Sequence, residues 1–175
     1  MGRQMAFEAS LDNEVLPGGQ LRETRRVFGF ESDFARDLRC IPMVVRFKLD
    51  RCGIKLSLKQ WSRMGQARRF ELADLPCDTM AETERYRSGL LDLIARCNVG
   101  EAVPLSVEVN PVWADPASVP DLVAGQLERQ GLAPLPAEVW SRLTTLQRFA
   151  LVKLSRPGHD NDNLAPALLE FGILA

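Results

Sequence analysis

The sequence has few of the residues that build metal sites and imidazole-based active sites. It contains one histidine, His159, and four cysteines, at positions 40, 52, 77 and 97, with no C-x-x-C pair. Structural zinc and iron–sulfur sites usually need ligands at closer, paired spacings. We therefore expect no bound metal, although separation in sequence does not forbid the cysteines from meeting in space. In a cytoplasmic protein such scattered cysteines are reduced thiols.

The chain also lacks the glycine loops and nucleophile motifs of common enzymes. Neither G-x-G-x-x-G nor a Walker A pattern is present, and there is no G-x-S-x-G elbow. Ser155, His159 and Asp160 or Asp162 are the residue types of a hydrolase triad, but they lie too close in sequence to converge easily. The expectation is a protein that is not an enzyme.

An excess of one charge and long apolar runs are missing as well. The net charge of −1 argues against nucleic-acid binding, which usually requires a basic surface. No apolar run reaches the length of a transmembrane helix, and the first residues are too polar for a signal peptide. We expect a cytoplasmic protein that binds neither nucleic acid nor membrane.

The sequence does contain an internal repeat. Trp61 to Leu75, WSRMGQARRFELADL, recurs 79 positions later as Trp140 to Leu154, WSRLTTLQRFALVKL. In both copies the apolar residues follow helical spacing and form one continuous stripe. Phe70 and Phe149 lie on the opposite side, so each copy is predicted to be a central helix packed on both sides.

Capping patterns and helix breakers divide the rest of the chain. Pro42 and Gly53 are predicted to bound a first helix, while Ser57-x-x-Gln60 and Thr79-x-x-Glu82 are capping boxes that open two more. The prediction is an all-α fold of two tandem repeats around a shared core, each of about three helices, the second with a short last helix.

The predicted boundaries follow from these patterns and from the prolines. Residues 1–26 are expected to be a mobile lead-in, and residues 27–175 a single all-α domain. Within that domain, repeat 1 covers about 40–97, a proline-rich linker 98–117, and repeat 2 about 118–171.

Several ordered motifs occur along the chain. They are Phe30-Glu31-x-Asp33-Phe34, Leu38 to Met43, Lys48 to Leu56 apart from position 51, Trp61, Asp74 to Cys77, and Leu146 to Pro157 apart from position 152. Together they resemble the motifs of the nitrate reductase-associated proteins, a bacterial, mostly cyanobacterial family, and the similarity covers about residues 28–171.

The resemblance implies a function linked to assimilatory nitrate reductase, a molybdenum enzyme. Its members look to be encoded beside genes for that enzyme and for molybdopterin biosynthesis, and no catalytic residues carry over. The matching motifs suggest a partner- or anion-binding site at Arg39, Cys40, Arg156, His159 and Asn163.

Three hypotheses follow. The first is an accessory or maturation factor that binds nitrate reductase or its apo form and assists insertion of the molybdenum cofactor. The second is a carrier that holds an anionic molybdopterin-type cofactor through Arg39, Arg156 and their neighbours, since guanidinium groups bind phosphates. The third is a metal or redox protein that uses Cys40, Cys52 and Cys77.

Overall fold

The computed structural model describes residues 27–157 and 162–174, except for the side chains of Phe34 and Ala35. Most of this part of the chain is helical, which confirms the predicted helical class. The helices are α1 (Ser32–Ala35), α2 (Met43–Cys52), α3 (Leu58–Arg63), α4 (Gln66–Asp74), α5 (Met80–Cys97), α6 (Asp121–Arg129), α7 (Ala137–Arg142), α8 (Thr145–Leu154) and α9 (Leu164–Glu170). The predicted lead-in, residues 1–26, lies outside the described residues.

The structure also contains a small antiparallel sheet, which the all-α prediction did not include. Its strands are β1 (Ile54–Lys55) and β2 (Val103–Pro104), with Ile54 paired to Pro104 and Lys55 to Val103. The second strand comes from the predicted linker, which the sheet ties to the end of α2. Among the helices of the described residues, none has the length and apolar content needed to cross a membrane.

Helix α2 begins and ends where proline and glycine predict. Pro42 is its N-cap, in an extended conformation with φ −72° and ψ 161°. Gly53 ends it with φ 68° and ψ 40°, a left-handed conformation that glycine adopts without steric strain. The Arg87 guanidinium donates to the carbonyl of Cys52, which satisfies one of the carbonyl groups left open at the helix end.

The prediction of one continuous helix in each Trp segment is wrong. Met64 leaves the helical conformation with φ −70° and ψ 126°, and Leu143 does the same with φ −68° and ψ 144°. The following residues, Gly65 and Thr144, are the N-caps of new helices. Thr144 and Gln147 form a capping box that restarts the helix, while glycine favours a break at the equivalent position of the first copy.

The two phenylalanines of the repeated segment differ in burial. Phe149 is fully buried, but Phe70 is an exposed residue of α4. The prediction that both copies are central helices is therefore confirmed for α8 and wrong for α4. Because α4 begins anew after Gly65, its apolar side need not continue the stripe of α3.

Each indole donates a hydrogen bond to a loop ahead of the preceding long helix. Trp61 Nε1 donates to the Leu38 carbonyl at 2.6 Å, and Trp140 Nε1 donates to the Asp115 carbonyl at 2.9 Å. The arginines that stand eight positions later do the same. Arg69 Nη1 also reaches the Leu38 carbonyl at 3.0 Å, and Arg148 Nε reaches the Trp113 carbonyl at 2.9 Å. The two copies share these local contacts, and the tandem repeat stays a prediction.

Two groups of buried apolar residues make the core. One forms around α2 and α5 and includes Trp61, and the other forms around α6 and α9 and includes Trp140. Trp113 packs against both groups. Its ring contacts Phe47 of α2 and Phe149 of α8, both members of the first group, edge-on at centroid distances of 5.2 and 5.7 Å. Aromatic packing therefore connects α2 with α8 through Trp113.

A buried carboxyl holds residues 28–31 against the start of α2. Glu31 accepts hydrogen bonds from the Met43 N–H at 2.8 Å and from the Phe28 N–H at 3.2 Å. Burial raises the pKa of Glu31 from its usual 4.5 to about 7, against the opposing effect of these two donors.

Replacing Gly53 by alanine should destabilise the protein by more than a backbone effect alone. A Cβ at Gly53, where φ is +68°, would stand 2.9 Å from the Leu105 carbonyl oxygen and 2.9 Å from Val107 Cγ2. At Gly131, where φ is +67°, a Cβ meets no atom within 4 Å. Urea unfolding should show a loss of about 1 kcal/mol for Gly131→Ala and of roughly 2–3 kcal/mol for Gly53→Ala. Equal losses of stability in the two variants would contradict the close approach of Leu105 and Val107 to Gly53.

The Glu31 carboxyl should make stability depend on pH. Its folded pKa of about 7 lies above the unfolded value, so the folded state binds the extra proton. The free energy of unfolding should therefore be highest below about pH 4.5 for this group, fall by roughly 1 kcal/mol per unit as the pH rises to 7, and level off above. Glu31→Gln cannot ionise and should remove this slope in urea titrations.

The exposed carboxyl of Glu128 on α6 provides the control for this measurement. Glu128→Gln should keep the pH slope of the unmodified protein. If Glu31→Gln keeps the pH slope of the unmodified protein, another group is responsible for the pH dependence of the free energy of unfolding.

Candidate functional site

A groove of about 750 Å³ opens where α2, α5, α8 and the chain after β2 meet. Its charged lining residues are Asp50, Arg51, Asp78, Glu84, Glu108, Lys153 and Arg156, and its larger apolar ones are Met80, Leu105, Val107, Val109, Val112, Trp113, Leu122 and Val152. We refer to this feature as the groove. Its volume falls within the range of ligand-binding clefts.

Cationic side chains hold the helices together at the groove. Lys153 Nζ of α8 lies 2.7 Å from Asp50 Oδ2 of α2, and both side chains are largely buried. Arg51 Nη2 donates to the Asp78 carbonyl at 2.7 Å, ahead of α5. The same two cations lie over aromatic rings, Lys153 over Phe149 and Arg51 over Phe47. These contacts connect α2 with α8 and with the segment ahead of α5.

The rim of the groove is apolar and exposed. Met80 is 93% exposed and Val109 is 91% exposed, while Val107 and Val112 are each 53% exposed. Exposed valines and methionines that share one concavity are typical of surfaces that bind another protein. The charges below them are nearly balanced in sign, so the groove is not an anion site by charge alone.

The residues proposed from sequence fall in different places. Arg156 lines the groove. Arg39 does not, because it precedes the other end of α2, where its Nη2 donates to the Asp33 carbonyl at 3.1 Å. A ten-residue helix is about 15 Å long, so the two ends of α2 lie roughly that far apart.

The remaining proposed residues also lie away from the groove or outside the described chain. Cys40 is half-buried in the segment before α2. Asn163 is the exposed N-cap residue of α9, and its side chain makes no capping hydrogen bond. His159 lies outside the described residues. Binding by these residues stays a prediction, and neither Cys40 nor Asn163 lines the groove.

Two of the cysteines share a buried environment. Burial raises the pKa of Cys52 to about 12, and the negative charge that the neighbouring Cys77 carries when it is ionised acts in the same direction. Burial also raises the pKa of Cys77, against a contact with Thr83 Oγ1 at 3.6 Å. Thiols of this kind stay protonated and do not attack electrophiles or bind metals readily.

Other polar groups beside these thiols are also enclosed. Lys48 is fully buried and its Nζ donates to the Ala73 carbonyl at 2.5 Å and to the Leu72 carbonyl at 3.4 Å, at the end of α4. The Tyr86 hydroxyl is buried without a hydrogen-bond partner among the described residues, and burial raises its pKa well above the usual range. Within residues 27–157 and 162–174, no three His, Cys, Asp or Glu side chains are grouped so as to hold a metal ion.

The sequence did not indicate which residues line the groove, because the walls of the groove come from segments far apart in the chain. Asp50 and Lys153 are 103 positions apart, and neither belongs to a motif of known chemistry. The one available indication was the alternation of Leu105, Val107 and Val109 in a proline-rich linker. Such alternation is typical of a strand with one apolar side rather than of a linker.

Comparison with protein families identifies a matching family. A family model described as "Conserved nitrate reductase-associated protein" matches residues 27–171. No curated protein and no solved structure matches the chain.

The buried thiols should resist modification in the folded protein. At pH 8 a pKa of about 12 leaves roughly one Cys52 thiol in ten thousand ionised, and burial blocks access as well. Mass spectrometry after iodoacetamide treatment should find Cys40 and Cys97 labelled, and Cys52 and Cys77 labelled only after addition of urea. Fast labelling of Cys52 in the native protein would reopen the redox hypothesis.

Proposed function

This chain belongs to the family of conserved nitrate reductase-associated proteins, and we propose that it is a cytoplasmic, non-enzymatic accessory protein that binds nitrate reductase through the groove. The observation that carries the proposal is the exposed apolar rim of the groove, formed by Met80, Val107, Val109 and Val112. A protein surface that buries these side chains gains the free energy of removing them from water.

The proposal extends to the maturation of the enzyme. An accessory protein that prefers the apo form would hold the reductase in a conformation that admits the molybdenum cofactor. Such a preference is a difference in affinity between two states of the same partner. The family membership supports a role in maturation, because it associates the chain with nitrate reductase. Tighter binding to apo-reductase than to the loaded enzyme would distinguish a maturation factor from a protein that only binds the reductase.

We also propose that the tandem repeat explains where the groove lies. The first copy provides Asp50 and Met80, the second provides Lys153 and Arg156, and the linker provides the wall between them. A groove at the junction of two copies is a common binding surface of helical repeats. The equivalent contacts of Trp61 and Trp140 with preceding loops support this interpretation.

The cofactor-carrier hypothesis has weaker support. An anionic pterin needs several cations that converge without competing carboxylates. In the groove Lys153 is paired with Asp50, and Asp78, Glu84 and Glu108 also line the cavity. Arg39, the other proposed anion ligand, precedes the far end of α2.

Carboxylates placed on the rim should weaken binding to the reductase. Val107→Asp and Val112→Asp each put a charge where the proposed interface excludes water. We expect each to lower the affinity for apo-reductase by roughly tenfold or more, which corresponds to at least about 1.4 kcal/mol. Pull-down from cells grown on nitrate, followed by titration with purified apo- and holo-reductase, measures this.

Leu169 provides a matched control, since it is exposed to the same extent, 53%, and does not line the groove. Leu169→Asp should bind like the unmodified protein. If the unmodified chain binds neither form of the reductase, the accessory function is wrong. Recovery of a pterin on the free protein would favour the carrier instead.

A further inference from the structure

The wall of the groove is an extended segment that is exposed along its whole length. Every residue from 103 to 110 is exposed, in the order Val-Pro-Leu-Ser-Val-Glu-Val-Asn. Only residues 103 and 104 belong to a strand, and residues 105–108 form no helix, turn or bend. The composition is that of a strand, because β-branched residues alternate with polar ones.

The sheet fixes which edge of this segment is open. Val103 pairs with Lys55, and the Leu105 N–H donates to the Gly53 carbonyl at 2.9 Å. Because backbone groups alternate in direction along a strand, those of Val103 and Leu105 point toward β1. The backbone groups of Ser106 and Glu108 therefore point to the other edge, where Pro104 has no N–H to offer.

The open edge has unused hydrogen-bonding capacity. Across residues 27–157 and 162–174, no backbone–backbone hydrogen bond involves the N–H or C=O groups of residues 106–110. An exposed row of such groups is a template for the addition of another strand. An amphipathic helix in the groove could cover Val107 and Val109 but would leave these donors and acceptors without partners. The edge favours an extended occupant.

The charges at this edge indicate the composition of the occupant. Glu108 is the one charged residue of the segment, and Glu84 lines the same groove from α5. Within the described parts of the chain, neither carboxylate forms an ion pair. Basic side chains on the occupant would complement both, which favours fast and specific association more than raw affinity.

We propose that the groove binds an extended segment of the partner, with alternating apolar and basic side chains, as an added strand beside Val103–Glu108. The inference rests on the proposed function, since the reductase is the partner that provides this segment. Its backbone groups bond to those of Ser106 and Glu108. Its apolar side chains cover Val107 and Val109, and its basic side chains face Glu108 and Glu84.

A proline at position 106 tests the backbone contact directly. Ser106→Pro removes the one N–H that the mechanism requires there and leaves every other groove side chain unchanged. The fold should accept it, because Pro104 already occupies the same edge and proline favours an extended preceding residue. Ser106→Ala keeps the N–H and loses only the hydroxyl, so it is the matched control.

We expect Ser106→Pro to weaken binding of purified apo-reductase at least tenfold, and Ser106→Ala to change it less than twofold. Equal urea midpoints for the two variants show that the fold is retained. Hydrogen exchange with single-residue resolution should show the amides of Ser106 and Glu108 protected in the complex. The double variant Glu84→Gln/Glu108→Gln should lower the association rate and its dependence on salt.

The outcomes separate this inference from the function on which it rests. If reductase binds equally to Ser106→Pro and Ser106→Ala and leaves these amides unprotected, strand addition is wrong and the accessory function stands. If the unmodified chain does not bind, both are wrong. If light scattering shows a dimer that only Ser106→Pro dissociates, the edge pairs with a second copy and the inference is overturned.

Discussion

The left-handed turn at Gly53 is the constraint on which the rest of the architecture depends. It ends α2, sends the chain into β1, and lets the linker approach to a distance that any side chain would block. The linker then forms one wall of the groove, while the last turn of α2 brings Asp50 and Arg51 to the other side. A single backbone conformation thus sets the position of the sheet, the linker and the groove together.

Charged side chains inside the protein act mainly on the backbone. Lys48 closes the end of α4, Arg148 donates to the carbonyls of Leu143 and Trp113, and Glu31 accepts from two N–H groups. Each satisfies backbone groups that short or broken helices leave open. Helices of six to ten residues leave many such groups for their length, and this explains why a core of ordinary composition contains buried ions.

The sequence allowed the helical class, the family and most helix starts to be predicted, because these depend on local patterns. The Ser57–Gln60 and Thr79–Glu82 capping boxes formed as expected, and Gly53 ended α2. The break at Met64 was missed because a continuous apolar stripe outweighed one glycine. The placement of Phe70, Arg39 and the groove depends on how distant segments pack, so local spacing could not show it.

Trp113 differs from the other two tryptophans in a way that has an optical consequence. Trp61 and Trp140 are fully enclosed, whereas Trp113 is half-buried, lines the groove and packs edge-on against two phenylalanines. An occupant of the groove changes the polarity around this indole and leaves the other two surroundings intact. The chain therefore contains its own fluorophore at the proposed binding surface, and the emission of Trp113 would report occupancy of the groove without an added label.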